Sequence, residues 1–132
     1  MNVAYKIVFG FLLKGGVLFL KENNILVNLN RAKFKRIQLR STMGNLLYYL
    51  LENADKECIS DEEIMSEVWE KHDLRASYSR LWQVYRDLNY RLTDIGVDIN
   101  LLTRVKRLRG YKVNASMCTK LLTSNAQPEK IL

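Results

Sequence analysis

Several residue types are scarce in this 132-residue chain, and each scarcity removes a class of function. There are two cysteines, Cys58 and Cys118, far apart. No disulfide framework can be built from such a pair, and a chain of this size has no need of one, so both are read as reduced thiols. His72 is the sole histidine. It makes no metal-ligand spacing with either cysteine and has no evident base or nucleophile partner. The single proline, Pro128, falls with Ser116, Thr119, Thr123, Ser124 and Asn125 in a stretch that suggests a loose tail. The six glycines form no phosphate-cradling loop. No enzyme activity, metal or cofactor is expected from these residues. The longest apolar run, Ile7 to Leu20, is interrupted by Lys14-Gly15-Gly16. It is too short for the roughly 20 residues of a membrane span, and no small-residue cleavage pattern follows it. Lys-Gly-Gly between two β-prone runs reads instead as a hairpin turn, and no membrane partner is expected.

Positive charge is plentiful, and it is unevenly distributed. The net charge is +7. Arg31 to Leu51 contains five bases and no acid, net +5; Glu52 to Asp73 contains nine acids against Lys56 and Lys71, net −7; Leu74 to Lys112 returns to net +6. A basic, acidic, basic order makes a polar molecule that would orient in the field of a polyanion. Length and an apolar fraction of 48% indicate one compact domain.

The opening 40 residues read as a small antiparallel sheet. Val3 to Leu13 is strand-like, Val17 to Leu20 returns, Ile25 to Asn30 alternates, and Phe34 to Leu39 forms a fourth strand. Three helices follow within residues 41–96. Ser41 or Thr42 is positioned to cap the first, which runs to about Asn53. The second starts at Ser60, with Glu63 completing a capping box. Glu70 to Ala76 reads as a loop. The third helix starts near Ser77 and lines up Leu81, Val84, Tyr85, Leu88, Leu92 and Ile95 on one stripe. After Gly96 a strand period is expected at Val97 and Ile99 and again from Leu101 to Val105. A cationic turn and a closing strand at Tyr111 to Val113 complete residues 97–113. Residues 114–132 lose their apolar period and are expected to form a loosely structured tail, leaving 1–113 as the domain.

Away from its apolar stripe the third helix presents Ser79, Gln83, Arg86 and Tyr90, flanked by Arg80, Trp82 and Asp87. Beside it the hairpin carries Lys106, Arg107 and Arg109. A polar helix face next to a cationic hairpin suits a major groove and its adjoining phosphates. A plain core helix beside a solvated hairpin is the bland alternative. Trp82 suits either a thymine methyl or the edge of the core. Arg31, Lys33, Lys35 and Arg36 read more simply as charges guarding a sheet edge than as a second phosphate contact.

Four segments carry a family resemblance: Ile37–Asn53 (IQLRSTMGNLLYYLLEN), Ile59–Trp69 (ISDEEIMSEVW), Ser79–Leu92 (SRLWQVYRDLNYRL) and Arg109–Val113 (RGYKV). Together they resemble the OmpR/PhoB-type winged helix-turn-helix domains, in the ToxR/CadC-like branch. The match covers roughly Ile25 to Val113, and the second-helix and wing motifs are its most specific parts. It implies an α+β winged helix-turn-helix: an N-terminal antiparallel sheet, three helices and a C-terminal hairpin wing. Unlike its relatives, the chain is expected to be without a receiver domain or transmembrane segment. It further implies a bacterial, cytoplasmic, nucleoid-associated transcriptional regulator of duplex DNA, with helix 77–95 in the major groove and wing 104–112 on the backbone or minor groove. Base contacts would fall to Trp82, Gln83, Arg86 and Asp87. Backbone or minor-groove contacts would fall to Ser79, Arg80, Asn89, Tyr90, Arg104, Lys106, Arg107 and Arg109. Asp87 departs from the family's usual base, and Leu108 from a common wing glycine. The family also implies RNA polymerase as a partner through residues 70–76, and a homodimer on DNA. The competing expectation is a winged helix used as a protein-interaction module that modulates another regulator or RNA polymerase.

Overall fold

A computed structural model describes residues 5–30 and 35–125. Strands β1 (Tyr5–Leu13), β2 (Val17–Leu20), β3 (Ile25–Asn28) and β4 (Lys35–Gln38) open the chain, with tight turns between β1 and β2 and between β2 and β3. Each pairs antiparallel with the next. The turn between β1 and β2 depends on Gly15 (φ 112°) and Gly16 (φ 77°), in a region that side-chain-bearing residues rarely adopt. Phe11, Leu13, Val17, Phe19 and Leu26 project from one face of the sheet into the core. β4 is an edge strand with Lys35 and Arg36 exposed, as expected of a guarded edge. Arg31 and Lys33 lie outside the described residues.

Helix α1 (Ser41–Glu52) covers that face, burying Met43, Leu46, Leu47, Leu50 and Leu51. Its N-cap is Arg40, and no side chain caps it; Ser41 and Thr42 are the first helical residues rather than the cap. The backbone turns helical one residue earlier than the hydroxyls suggested, so their oxygens sit beyond the cap position. Strand β5 (Ile59–Ser60) leads into α2 (Asp61–Ile64), which continues through a π-helical turn (Met65–Trp69) and a 3-10 turn (Glu70–His72). The Ser60–Glu63 capping box is complete in both directions. The stretch 70–76 is therefore partly helical, and it ends at Asp73 in a left-handed conformation. Helix α3 (Tyr78–Ile95) is capped by Ser77, whose hydroxyl accepts from the Arg80 N–H, and stops at Gly96 (φ 112°). Its inner stripe is Leu81, Tyr85, Leu88, Leu92 and Ile95. Among the described residues no helix is long and apolar enough to cross a membrane.

Strands β6 (Leu102–Val105) and β7 (Gly110–Val113) form the C-terminal hairpin, joined by a 3-10 turn, Lys106–Leu108. Two features differ from expectation. Val97 and Ile99 are not in a strand, because the Asp98 side chain accepts from the Asn100 N–H and the Asp98 N–H is drawn to the Lys14 carbonyl. The hairpin also has a third strand, since β5 pairs with β7.

The larger correction concerns the C-terminal segment. Residues 118–125 are not a loose tail: they form β8 (Cys118–Asn125), which pairs antiparallel with β1 along its whole length. The sheet order is β4-β3-β2-β1-β8, so the chain's last described element returns to its first. The free edge of β1 supplied the partner that the segment's own composition did not reveal.

Candidate nucleic-acid interface

Helical geometry puts the polar residues of α3 on a ridge pointing away from the core. Ser79, Arg80, Trp82, Gln83, Arg86, Asp87 and Tyr90 are all exposed, Tyr90 most of all at 73%, and Asn89 is half-buried. The aromatic ring of Trp82 stacks on Tyr85 at 5.9 Å between centroids, yet 48% of the residue remains open. It covers the core's edge and faces outward at once. Arg86 Nε lies 4.0 Å from the Asp87 carboxylate, with both side chains more than half exposed. Such a pair contributes little and leaves Arg86 free to reorient.

A shallow groove runs along each side of this ridge. On one side Ser79, Trp82 and Tyr78 of α3 face Arg104 and Tyr111 of the hairpin and Arg109 at its turn, around a cleft of about 410 Å³. Helix and hairpin thus share one surface. Lys106, Arg107 and Leu108 at the hairpin turn are exposed, and Arg109 takes the left-handed conformation (φ 51°) that closes it. Among the described residues no carboxylate pairs with Arg80, Lys106, Arg107 or Arg109.

On the other side Arg80, Gln83 and Asp87 face the start of α1 and the loop before α3, around a cleft of about 460 Å³. Arg40 and Arg75 line it, together with Ser41 and Thr42. The first turn of α1 carries no acid and no side-chain cap. Its leading N–H groups and the positive end of its dipole therefore face a cleft with three arginines. Sequence reasoning missed Arg40 and Arg75. The available signal was the net +5 segment ending in α1, but nothing local tied it to α3.

Arg104, expected at the DNA backbone or minor groove, is engaged within the fold. Its guanidinium grips Asp61 through two hydrogen bonds, 2.6 Å to Oδ1 and 3.1 Å to Oδ2, and lies 4.7 Å above the Tyr111 ring. Asp61 is 4% exposed. A cation held bidentately by a buried carboxylate is fixed in place by a strong, directional contact. Arg104 ties β6 to the start of α2. The pairing spans 43 residues of sequence.

Tyrosines fill the space behind this contact. Tyr111 and Tyr85 lie 4.3 Å apart, centroid to centroid. Burial pushes the Tyr111 phenol up to about 12, and burial raises Tyr85 as well. Tyr49 is raised by burial and then by its 2.6 Å hydrogen bond to Glu63. Burial alone would raise Glu63, but Lys56, the Tyr49 hydroxyl and the Ser60 N–H together bring it below its ordinary value. The three tyrosines make a pH prediction. A phenol with a raised folded pKa contributes its full stability below its unfolded pKa of 10.0 and loses it as the pH climbs toward 12. Urea midpoints measured from about pH 9 upward should therefore fall steeply above about pH 10. A flat profile would contradict the buried tyrosine cluster.

These elements make a winged helix-turn-helix: an N-terminal sheet, three helices with the third presented outward, and a C-terminal hairpin beside it. The DNA-binding domain of Escherichia coli CadC is a solved structure of the same fold, with a TM-score of 0.66 at 18% identity, covering 92% of this chain and all of the other. No protein-family model matches the sequence, and no curated protein does either.

Proposed function

We propose that this chain is a transcriptional regulator of bacterial type that binds duplex DNA sequence-specifically. One observation carries the proposal: Gln83 and Arg86 stand exposed on the outward ridge of α3, with a cationic groove on either side. Inserted in a major groove, Gln83 has the geometry to pair bidentately with adenine and Arg86 with guanine N7 and O6, each worth roughly 1–3 kcal/mol of discrimination. Trp82 meets a thymine methyl, and Asp87 accepts from a cytosine amino group. Ser79, Arg80, Asn89 and Tyr90 fix the helix against the backbone, while Lys106, Arg107 and Arg109 reach phosphates or the minor groove. Arg40, Arg75 and the start of α1 add a phosphate contact across the second groove. The likeness to a domain described as DNA-binding supports this reading. The proposal includes no catalytic step and no cofactor. It puts the protein in the cytoplasm, on the nucleoid, with residues 70–76 available to RNA polymerase.

A protein-interaction module is the second reading, favoured by the exposure of Trp82 and Tyr90 on one ridge, since aromatics are enriched at interfaces. Salt separates the two. Fluorescence anisotropy with random-sequence duplex should give a steep negative slope of log affinity against log salt. Arg107→Ala should reduce that slope by about 1 and weaken all duplexes alike. A wild-type slope near zero would exclude the DNA reading and leave the protein-partner one.

A further inference from the structure

The five-stranded sheet has two unlike edges. At β4 the edge is four residues long and basic. At the opposite edge β8 runs eight residues, and among the described residues nothing pairs with its outer side. Its side chains from Cys118 to Thr123 include a single charge, Lys120. That ammonium lies 3.6 Å from the Glu52 carboxylate of α1, over the inner face of the sheet. A long, nearly uncharged strand with free N–H and C=O groups is a template for a further strand.

The sequence of β8 is compatible with a second copy of itself. Lys120 lies opposite Phe11, whose side chain is in the core, so residues 118, 120 and 122 share the inner face and 119, 121 and 123 the outer. Two copies related by a two-fold axis normal to the sheet must match inner residues with inner and outer with outer. A register centred on Lys120 would oppose two ammonium groups. The register centred on Leu121 avoids this: Leu121 meets Leu121 of the second copy, Thr119 meets Thr123, and the stem of Lys120 covers Leu122, which is otherwise 46% exposed. Apolar and threonine cross-strand pairs of this kind are favourable, and no like charges face each other.

We infer that the chain forms a homodimer through antiparallel pairing of its β8 strands, joining two five-stranded sheets into one continuous sheet. The interface lies at the far edge from α3, whose C-terminal end is fixed to the other side of the sheet by Asn28 to the Ile95 carbonyl and Lys35 to Asp94. The polar ridge of α3 stays open in both copies, and the inference stands whether or not that ridge binds DNA.

Sedimentation equilibrium of the full chain tests it, alongside Leu121→Lys. The wild type should be a dimer, and Leu121→Lys, which sets two ammonium groups across the axis, should weaken association by at least about tenfold with an unchanged circular dichroism spectrum. Should that variant misfold, single cysteines in a Cys58→Ser, Cys118→Ser background decide the matter. Under mild oxidation Leu121→Cys should close a covalent dimer, whereas Thr119→Cys, displaced along the strand from its own copy, should not. A wild type monomeric at its solubility limit, a dimer indifferent to Leu121→Lys, or equal cross-linking by both cysteines would overturn the inference. Indifference to Leu121→Lys would put the contact away from β8, and equal cross-linking would put it on the outer face that Thr119 and Leu121 share. Salt-dependent duplex binding measured on Leu121→Lys reports on the α3 ridge separately.

Discussion

Arg104→Ala should lower the stability of this protein by about 3 kcal/mol, among the larger effects available from one side chain. The reason is what it leaves behind. Asp61 is buried, and its two oxygens are satisfied by the guanidinium at 2.6 and 3.1 Å. Without Arg104 the buried carboxylate is left in a site that has lost its counter-ion and two hydrogen-bond donors. The guanidinium also packs on Tyr111, so the truncation opens space beside the tyrosine stack. Removing both partners should be far milder than removing one. The double variant Asp61→Leu, Arg104→Leu should recover most of the loss, because a well-packed apolar pair often replaces a buried ion pair without cost. Urea denaturation of the wild type, Asp61→Leu, Arg104→Leu and the double variant gives the coupling directly as a double-mutant cycle. A loss below about 1 kcal/mol for Arg104→Ala would mean that the pair is no more than a surface contact.

The second large effect is on recognition rather than folding. Arg86→Ala should flatten base preference at one position of the bound site, by roughly 1–3 kcal/mol, while leaving the affinity for random duplex nearly intact. Arg86 suits this role because its only ionic neighbour among the described residues, Asp87, is 4.0 Å away and solvated, so little holds the side chain back from a base edge. Selection of bound sequences from a random duplex library, with wild type and variant in parallel, reads the outcome. An information profile unchanged at every position would remove Arg86 from the base-reading set. A uniform loss of affinity would make it a phosphate contact, like the role proposed for Arg107.

How much of this was legible beforehand depends on how far apart the interacting residues lie. The stripe on α3, the Ser60–Glu63 capping box and the Lys14-Gly15-Gly16 turn are all local signals, encoded within a few residues. The exposed positions of Gln83 and Arg86 follow from the same helical period, once the apolar stripe is known to face inward. The cap of α1 was misjudged at this same range, because Arg40 rather than a hydroxyl residue occupies the position.

The long-range features had no such signal. Arg104 reads as one more cation in a basic hairpin until the start of α2 arrives beside it. Arg40 and Arg75 belong to separate segments and meet Arg80 only around the α1–α3 groove. The segment Cys118–Asn125 mixes threonine, lysine, leucine and serine with no clean alternation; it became a strand because β1 had an unfilled edge. Periodicity and capping chemistry act between neighbours, so the amino-acid sequence alone determined the helices, the hairpins and the outward face of α3. Ion-pair partners, groove walls and the fifth strand depend on which surfaces packing brings together, and only the tertiary structure decided those.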